Sequence, residues 1–169
     1  YDSHCKYMNL AGIRITDLFG IQTITNYEKY RKLAPLGRYV FACEGQFDTM
    51  MLQQNAIFAL GIFGVSNLRK NIIDTLATFE SVVLAFDNDI PGRKCTTEVA
   101  SFIKGANKKT KIYFVNLPAG IKDVNDFLLE NDIEELLECI LPIEYITPKE
   151  FKGARKKQLK PTAFDDEVE

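Results

Sequence analysis

Apolar residues fall along this chain in short, dense runs, each cut off by acids, Gly or Pro. The first is Tyr39-Val40-Phe41-Ala42-Cys43, which ends at Glu44-Gly45. Residues 56–60 run into Gly61 and Gly64, and residues 81–86 and 111–116 repeat the pattern. Runs of this length, rich in β-branched and aromatic residues, suit strands buried on both faces. Between them the period lengthens. Residues 47–54, 67–77, 92–104, a segment from about Asp123, and 133–141 read as helices. In the second of these Leu68, Ile72, Ile73 and Leu76 share one face and Asn67 is the cap; Pro142 stops the last. Strand and helix alternate four times, which predicts an α/β fold: a mainly parallel sheet of about four strands with helices on both faces.

The ends differ from this centre. Residues 6–10 and 13–15 suggest short strands and 26–32 a short helix closed by Pro35 and Gly37, together a small N-terminal α+β subdomain. After Pro148 the periodicity fails. Residues 152–160 read as a solvated basic linker and the last five as an acidic tail. The expected units are therefore 1–37, 38–141, and a linker or tail over 142–169 leading towards a further domain.

Charge sharpens that division. The net charge is −2, so no global positive field advertises nucleic-acid binding. Yet residues 1–38 hold six Lys/Arg against three acids, a balance of +3, and 147–160 hold six against one, or +5. These basic ends are the best candidates for phosphate contact, with ordinary solvated charge as the equal alternative, and binding through them should be weak and salt-sensitive. Cys5, Cys43, Cys95 and Cys139 lack C-x-x-C spacing, and His4 is the one histidine, so zinc is not expected within this segment. Reduced thiols, no apolar run of membrane-span length and no signal peptide point to a cytoplasmic protein without a membrane partner. The chain opens on Tyr1, as an excerpt of a longer protein would.

Three strand ends carry acids. Glu44 follows the first strand, with Asp48 one helical turn later; Asp87 and Asp89 follow the third; Asp123, with Asn125 and Asp126, follows the fourth. In a parallel sheet those ends share one edge, where open α/β folds bind ligands. Five acids in one crevice repel each other without a cation, and a set of hard oxygens favours Mg²⁺ or Mn²⁺. Such ions polarise phosphoryl oxygens, and Arg93, Lys94 and Lys122 stand near enough in sequence to meet phosphate. Each motif alone also has a plainer reading. Asp89-Ile90-Pro91-Gly92 is an ordinary turn with a helix cap, Asp123 with Asp126 resembles a capping box, and Asp48 suits a helix N-terminus.

Glu44-Gly45-Gln46-Phe47-Asp48, followed by Phe86-Asp87-Asn88-Asp89-Ile90-Pro91-Gly92-Arg93-Lys94, resembles the Toprim domain. That domain is the metal-binding catalytic part of bacterial and phage primases, type IA and II topoisomerases and certain nucleases. The Asp-x-Asp-x-x-Gly-Arg-Lys pattern and residues 117–128 are similar to the primase version, and Asn125 matches the form in phage primase-helicases. Lys6-Tyr7-Met8-Asn9 and Leu18-Phe19-Gly20 resemble the basic subdomain that precedes Toprim in primases. The resemblance covers about residues 38–130, with a looser likeness upstream.

It implies a DNA-directed RNA polymerase of primase type, making short RNA primers on single-stranded DNA from ribonucleoside triphosphates beside a fused or separate replicative helicase. Glu44 would act as general base or metal ligand, Asp87 and Asp89 as catalytic Mg²⁺ or Mn²⁺ ligands, with Asp48, Asp123 and Asn125 completing the site. Lys6 and Asn9 would handle nucleotide or template. The family's N-terminal zinc module has no counterpart here, and a fused helicase would lie beyond residue 169. The alternatives are a Toprim-type nuclease and a non-catalytic nucleic-acid or partner-binding module. A topoisomerase would need a tyrosine nucleophile, and none of the seven tyrosines has a recognisable context.

Overall fold

The computed structural model describes residues 18–21, 27, 31–32, 36–63 and 68–146. The predicted strands and helices of the centre are present in order. They are β1 (Val40–Cys43), α1 (Gln46–Gln54), β2 (Ala59–Gly61), α2 (Lys70–Leu76), β3 (Ser81–Ala85), α3 (Ile90–Ala106), β4 (Lys111–Val115), α4 (Val124–Leu128) and α5 (Ile133–Glu138). β1 to β4 are parallel, and the sheet order is β2-β1-β3-β4 with a fifth strand outside β4. The expected N-terminal strands, residues 26 and 28–30 of the 26–32 helix, Asn67 and most of the basic and acidic ends lie outside the described residues; Arg31 N–H donates to the Tyr27 carbonyl at 2.8 Å, as within a helical turn.

Strand register explains why no strand reads as amphipathic. Phe41 pairs with Ala59 and Val83, and Ala42 with Leu60 and Leu84, so each residue joins its neighbours on the same face. One face carries Val40, Ala42, Val82, Leu84, Ile112 and Phe114 against Ile72, Ile73 and Leu76 of α2 and Val99 and Ile103 of α3. The other carries Phe41, Cys43, Val83 and Val115 against Leu52 of α1, Phe127 of α4 and Leu136 of α5. Both faces of every central strand must therefore be apolar. Earlier residues also reach the core: Leu18 and Tyr27 are buried with the α2–α3 face. Tyr27 packs edge-on against Phe58 and Phe79 at 4.9 and 5.2 Å.

Three expectations need correction. The last helix was expected over 133–141, but α5 ends at Glu138 and Ile140–Pro142 forms β5, antiparallel to β4. A capping box between Asp132 and Glu135 fixes the start of α5. The apolar run after it fits either period, and the open edge of β4 supplies backbone partners that decide for strand. Pro142 is tolerated because β5 is an edge. The second strand begins at Ala59, not 56, because α1 ends through a turn in which Ala56 takes a φ of 60°. The start of α2 is Arg69, extended and without a side-chain cap bond. No disulfide joins Cys43, Cys95 and Cys139. Among the described residues no helix is long and apolar enough to cross a membrane.

Candidate active site

The chain runs outward from β1 to β2, then returns past β1 to β3. The carboxyl ends of β1 and β3 thus flank a topological switch point, where connections diverge and leave a crevice. Glu44 leaves β1 there, and Gly45, extended, starts α1. The first turn of α1 aims Asp48 inward, so that the carboxylate-bearing residue is 6% exposed. β3 delivers Asp87, and the β4–α4 connection delivers Lys122, Asp123 and Asn125. Glu44, Asp48, Asp87, Lys122, Asp123 and Asn125 line one pocket of about 300 Å³, with Phe47 as its apolar wall.

Asn88 fixes this geometry. Its side-chain Nδ2 donates to the carbonyls of Leu117, Pro118 and Ile121 at 3.2, 3.1 and 3.0 Å. Its backbone N–H donates to the Lys122 carbonyl at 2.6 Å, and its Oδ1 accepts from Arg93 Nη2 at 2.8 Å. One residue of β3's terminus therefore ties down the whole 117–122 loop that presents Lys122 and Asp123. Asn88→Ala should lower stability by about 1–3 kcal/mol in urea unfolding, since loop carbonyls lose their donor. Asn88→Asp should cost more, because a carboxylate would face those carbonyl oxygens. Equal stability of both variants and the wild type would remove the tether.

The pocket concentrates negative charge. Burial, then the charges of Asp123 and Asp87, push the Asp48 carboxyl up to about 6, against a bond from the Asn125 N–H to its Oδ1 at 3.1 Å. Below about pH 4 the group is protonated folded or unfolded. Between there and pH 6 the folded state keeps a proton that the unfolded chain has released. Stability is therefore lost as pH rises through that window, by about 3 kcal/mol at most. Asp48→Asn keeps the acceptor and removes the charge. Without metal it should gain about 1–3 kcal/mol at pH 8 and nothing at pH 4, read by urea unfolding at both pH values.

Lys122 answers part of this charge. Its Nζ lies 3.1 Å from Asp123 Oδ2 and 3.5 Å from Asp87 Oδ2. Burial works against the ammonium, but the hydrogen bond to Asp123 and the two carboxylate charges outweigh it and hold Lys122 well above the ordinary lysine range.

The other expected site residues are placed differently. Asp89 is exposed and outside the pocket lining; its Oδ1 caps α3 by accepting from the Gly92 N–H at 2.7 Å. Asp123 lines the pocket and also caps α4, accepting from the Asp126 N–H at 2.8 Å. The plainer capping reading therefore holds for Asp89, and Asp123 is a simple N-cap without the reciprocal bond of a capping box. Arg93 is half-buried and turned to Asn88 and, at 3.4 Å, to Asn116 Oδ1; Lys94 is exposed on α3. Lys6 and Asn9 lie outside the described residues. Among the described residues, no three His, Cys, Asp or Glu side chains stand together as a ready metal-ligand group. The donors nevertheless fit a hard divalent cation in kind: they are carboxylate oxygens, burial and then the neighbouring acids raise Asp48, and Lys122 lies between Asp87 and Asp123.

Comparison with known proteins places this pocket in a family. The model of a family described as Toprim-like matches residues 41–128, more than half of the chain. The chain belongs to the Toprim-like family. The matched stretch of this Toprim-like chain runs from β1 through α4 and holds every residue of the pocket. Among solved structures, the zinc-binding and RNA polymerase domains of the Aquifex aeolicus primase match with a TM-score of 0.54 at 24% identity, over 67% of this chain and 27% of that one. The primase fragment of the bacteriophage T7 primase-helicase protein gives a TM-score of 0.47 at 24% identity, over 62% of this chain and 47% of that one. At such identity the first likeness speaks for the fold. The Toprim-like chain spans about a quarter and a half of the two matched chains. No curated protein matches it.

Asn88 and Phe47 escaped the sequence reading. The partners of Asn88 lie about 30 residues away, and nothing local to Asp87-Asn88-Asp89 marks the middle residue as the tether. Phe47 reads only as the start of a helix, yet it is 65% exposed at the pocket.

Proposed function

We propose that this chain is the catalytic core of a DNA primase, joining ribonucleotides on single-stranded DNA by metal-dependent nucleotidyl transfer. The observation that carries this reading is the convergence of Glu44, Asp48, Asp87 and Asp123 in one pocket at the switch point of a Toprim-like sheet. Those four, with Asn125 in the lining and Asp89 outside it, are the residues that would hold Mg²⁺ or Mn²⁺. When bound, the cation supplies charge that stabilises the transferring phosphoryl group and acidifies the attacking hydroxyl.

The chain's own groups do the rest. Asp48 keeps a carboxylate in a largely dry position, where charge acts over longer range than in water. Glu44, half-buried at the end of β1, is placed to accept the proton of the attacking hydroxyl. Lys122, exposed at the pocket, is placed to meet phosphate. Asn88 and Arg93 hold the loop that carries it. On this reading residues 1–37, with Lys6 and Asn9, form the template-handling basic subdomain, and the expected linker begins after residue 146 rather than at 142, because Pro142 belongs to β5 and Ile143 and Ile146 pack on the core. The partners are single-stranded DNA, ribonucleoside triphosphates and a replicative helicase in the cytoplasm.

A second reading has its own observation: Lys122 and two helix caps already engage Asp87, Asp89 and Asp123. There the acids serve folding and the domain binds nucleic acid or a partner without catalysis. One experiment separates the readings. The chain is incubated with single-stranded DNA, ribonucleoside triphosphates and Mg²⁺ or Mn²⁺, and products are sized. Primers support the first reading and shortened DNA a nuclease. Neither product, with no saturable cation binding at millimolar concentration, leaves the non-catalytic module.

A further inference from the structure

Lys122 combines a fixed root with a loosely held head. Its carbonyl is clamped by the Asn88 N–H at 2.6 Å, while its side chain is 55% exposed. The two carboxylates it bridges come from separate connections, Asp87 after β3 and Asp123 before α4, and each side chain is only 15% exposed. The acids are therefore held in place and the cation is not. Other nearby bases do not compete for this position: Arg93 is turned to Asn88 and Asn116, and Lys94 does not line the pocket. A lysine head is a compact point charge on a flexible stem, able to leave without disturbing the backbone.

We propose that Lys122 is an exchangeable counter-ion. It bridges Asp87 and Asp123 while no divalent cation is bound, and releases both carboxylates when one binds. The freed ammonium then serves the phosphate groups of a nucleotide in the same pocket. This inference rests on the pocket being a divalent-cation site. The lysine stands between two of the donors and satisfies them as a pair. Solvent-exposed ion pairs are weak, so a doubly charged ion displaces this one readily.

The exchange predicts effects of opposite sign from one substitution. Lys122→Met should tighten Mn²⁺ binding by about three- to tenfold, the worth of a partly exposed ion pair. It should weaken binding of a ribonucleoside triphosphate at saturating Mg²⁺ by a similar factor. Lys122→Arg, which keeps the charge, should stay closer to the wild type in the first measurement. Mn²⁺ binding is read by isothermal titration calorimetry, independently of activity. In the wild-type chain the Lys122 Cε methylene resonance should sharpen in step with binding of diamagnetic Mg²⁺, a readout that survives if the Met variant folds poorly. Should the wild type bind Mn²⁺ while Lys122→Met binds it equally or less well, or should the methylene signal stay unchanged, the exchange is wrong. Should the wild type show no saturable cation binding, the cation-site reading fails first and takes the exchange with it.

Discussion

Asp87→Asn is expected to lower metal-dependent nucleotidyl transfer by about 10²- to 10³-fold, with folding nearly intact. Asp87 sits one residue beyond the buried Phe86, its side chain mostly buried, and it touches the site through charge: it pairs with Lys122 and helps raise Asp48. The amide keeps the shape and removes that charge, so the cation midpoint should rise along with the loss of rate. Asp89→Asn offers the contrast. Its carboxylate caps α3 outside the pocket lining, and an Asn side chain also caps well, so both rate and stability should change less than at Asp87. Primer yield and cation titration on the two variants check this. Equal losses at both positions would mean that Asp89 joins the site by leaving its cap.

Gly92→Ala should be the most destabilising small substitution in the matched region, by about 3 kcal/mol or more. A Cβ there would overlap the Asp87 carbonyl oxygen and stand 2.9 and 3.1 Å from the Asp87 carbonyl carbon and nitrogen. Those are backbone atoms, held by β3 and the Asn88 bonds, and cannot swing aside. α3 would have to move, taking the Gly92 N–H away from Asp89, or Asp87 would be pushed out of the pocket. Gly105, near the other end of α3, meets nothing within 4 Å at the same test. Gly105→Ala should therefore stabilise by about 0.5–1 kcal/mol through helix propensity. Urea unfolding of both variants decides the matter, and a harmless Gly92→Ala would remove the close approach.

The glycine of the Asp-x-Asp-x-x-Gly pattern thus has a packing reason that the sequence alone did not disclose. What the sequence did disclose was period. Runs such as 39–43 and 81–86 were legible as doubly buried strands because covered parallel strands have no polar face to break them. Their order made the shared edge deducible, and Glu44, Asp48, Asp87 and Asp123 do meet there. Reading failed where both answers used the same local pattern. Residues 139–142 fit a helix's last turn or an edge strand, and only the vacant side of β4 chooses between them. Asp89 lies two residues from Asp87 in an extended segment, yet the start of α3 turns its carboxylate back to the helix. Asn88 was invisible because its role consists of bonds to a loop reached after a whole helix and strand.

The outer margins of the sheet carry a consequence for how this molecule behaves among its own copies. On one side the Phe19 and Gly61 backbones exchange both of their hydrogen bonds, so β2 presents little open ladder at its end. On the other, β5 is three residues long and closes on Pro142, which has no N–H to offer. Among the described residues, neither margin offers a neighbouring chain a long row of matched donors and acceptors to template upon. A central sheet this apolar is a hazard in crowded solution only if its borders are legible to other strands, and here both borders are short and interrupted.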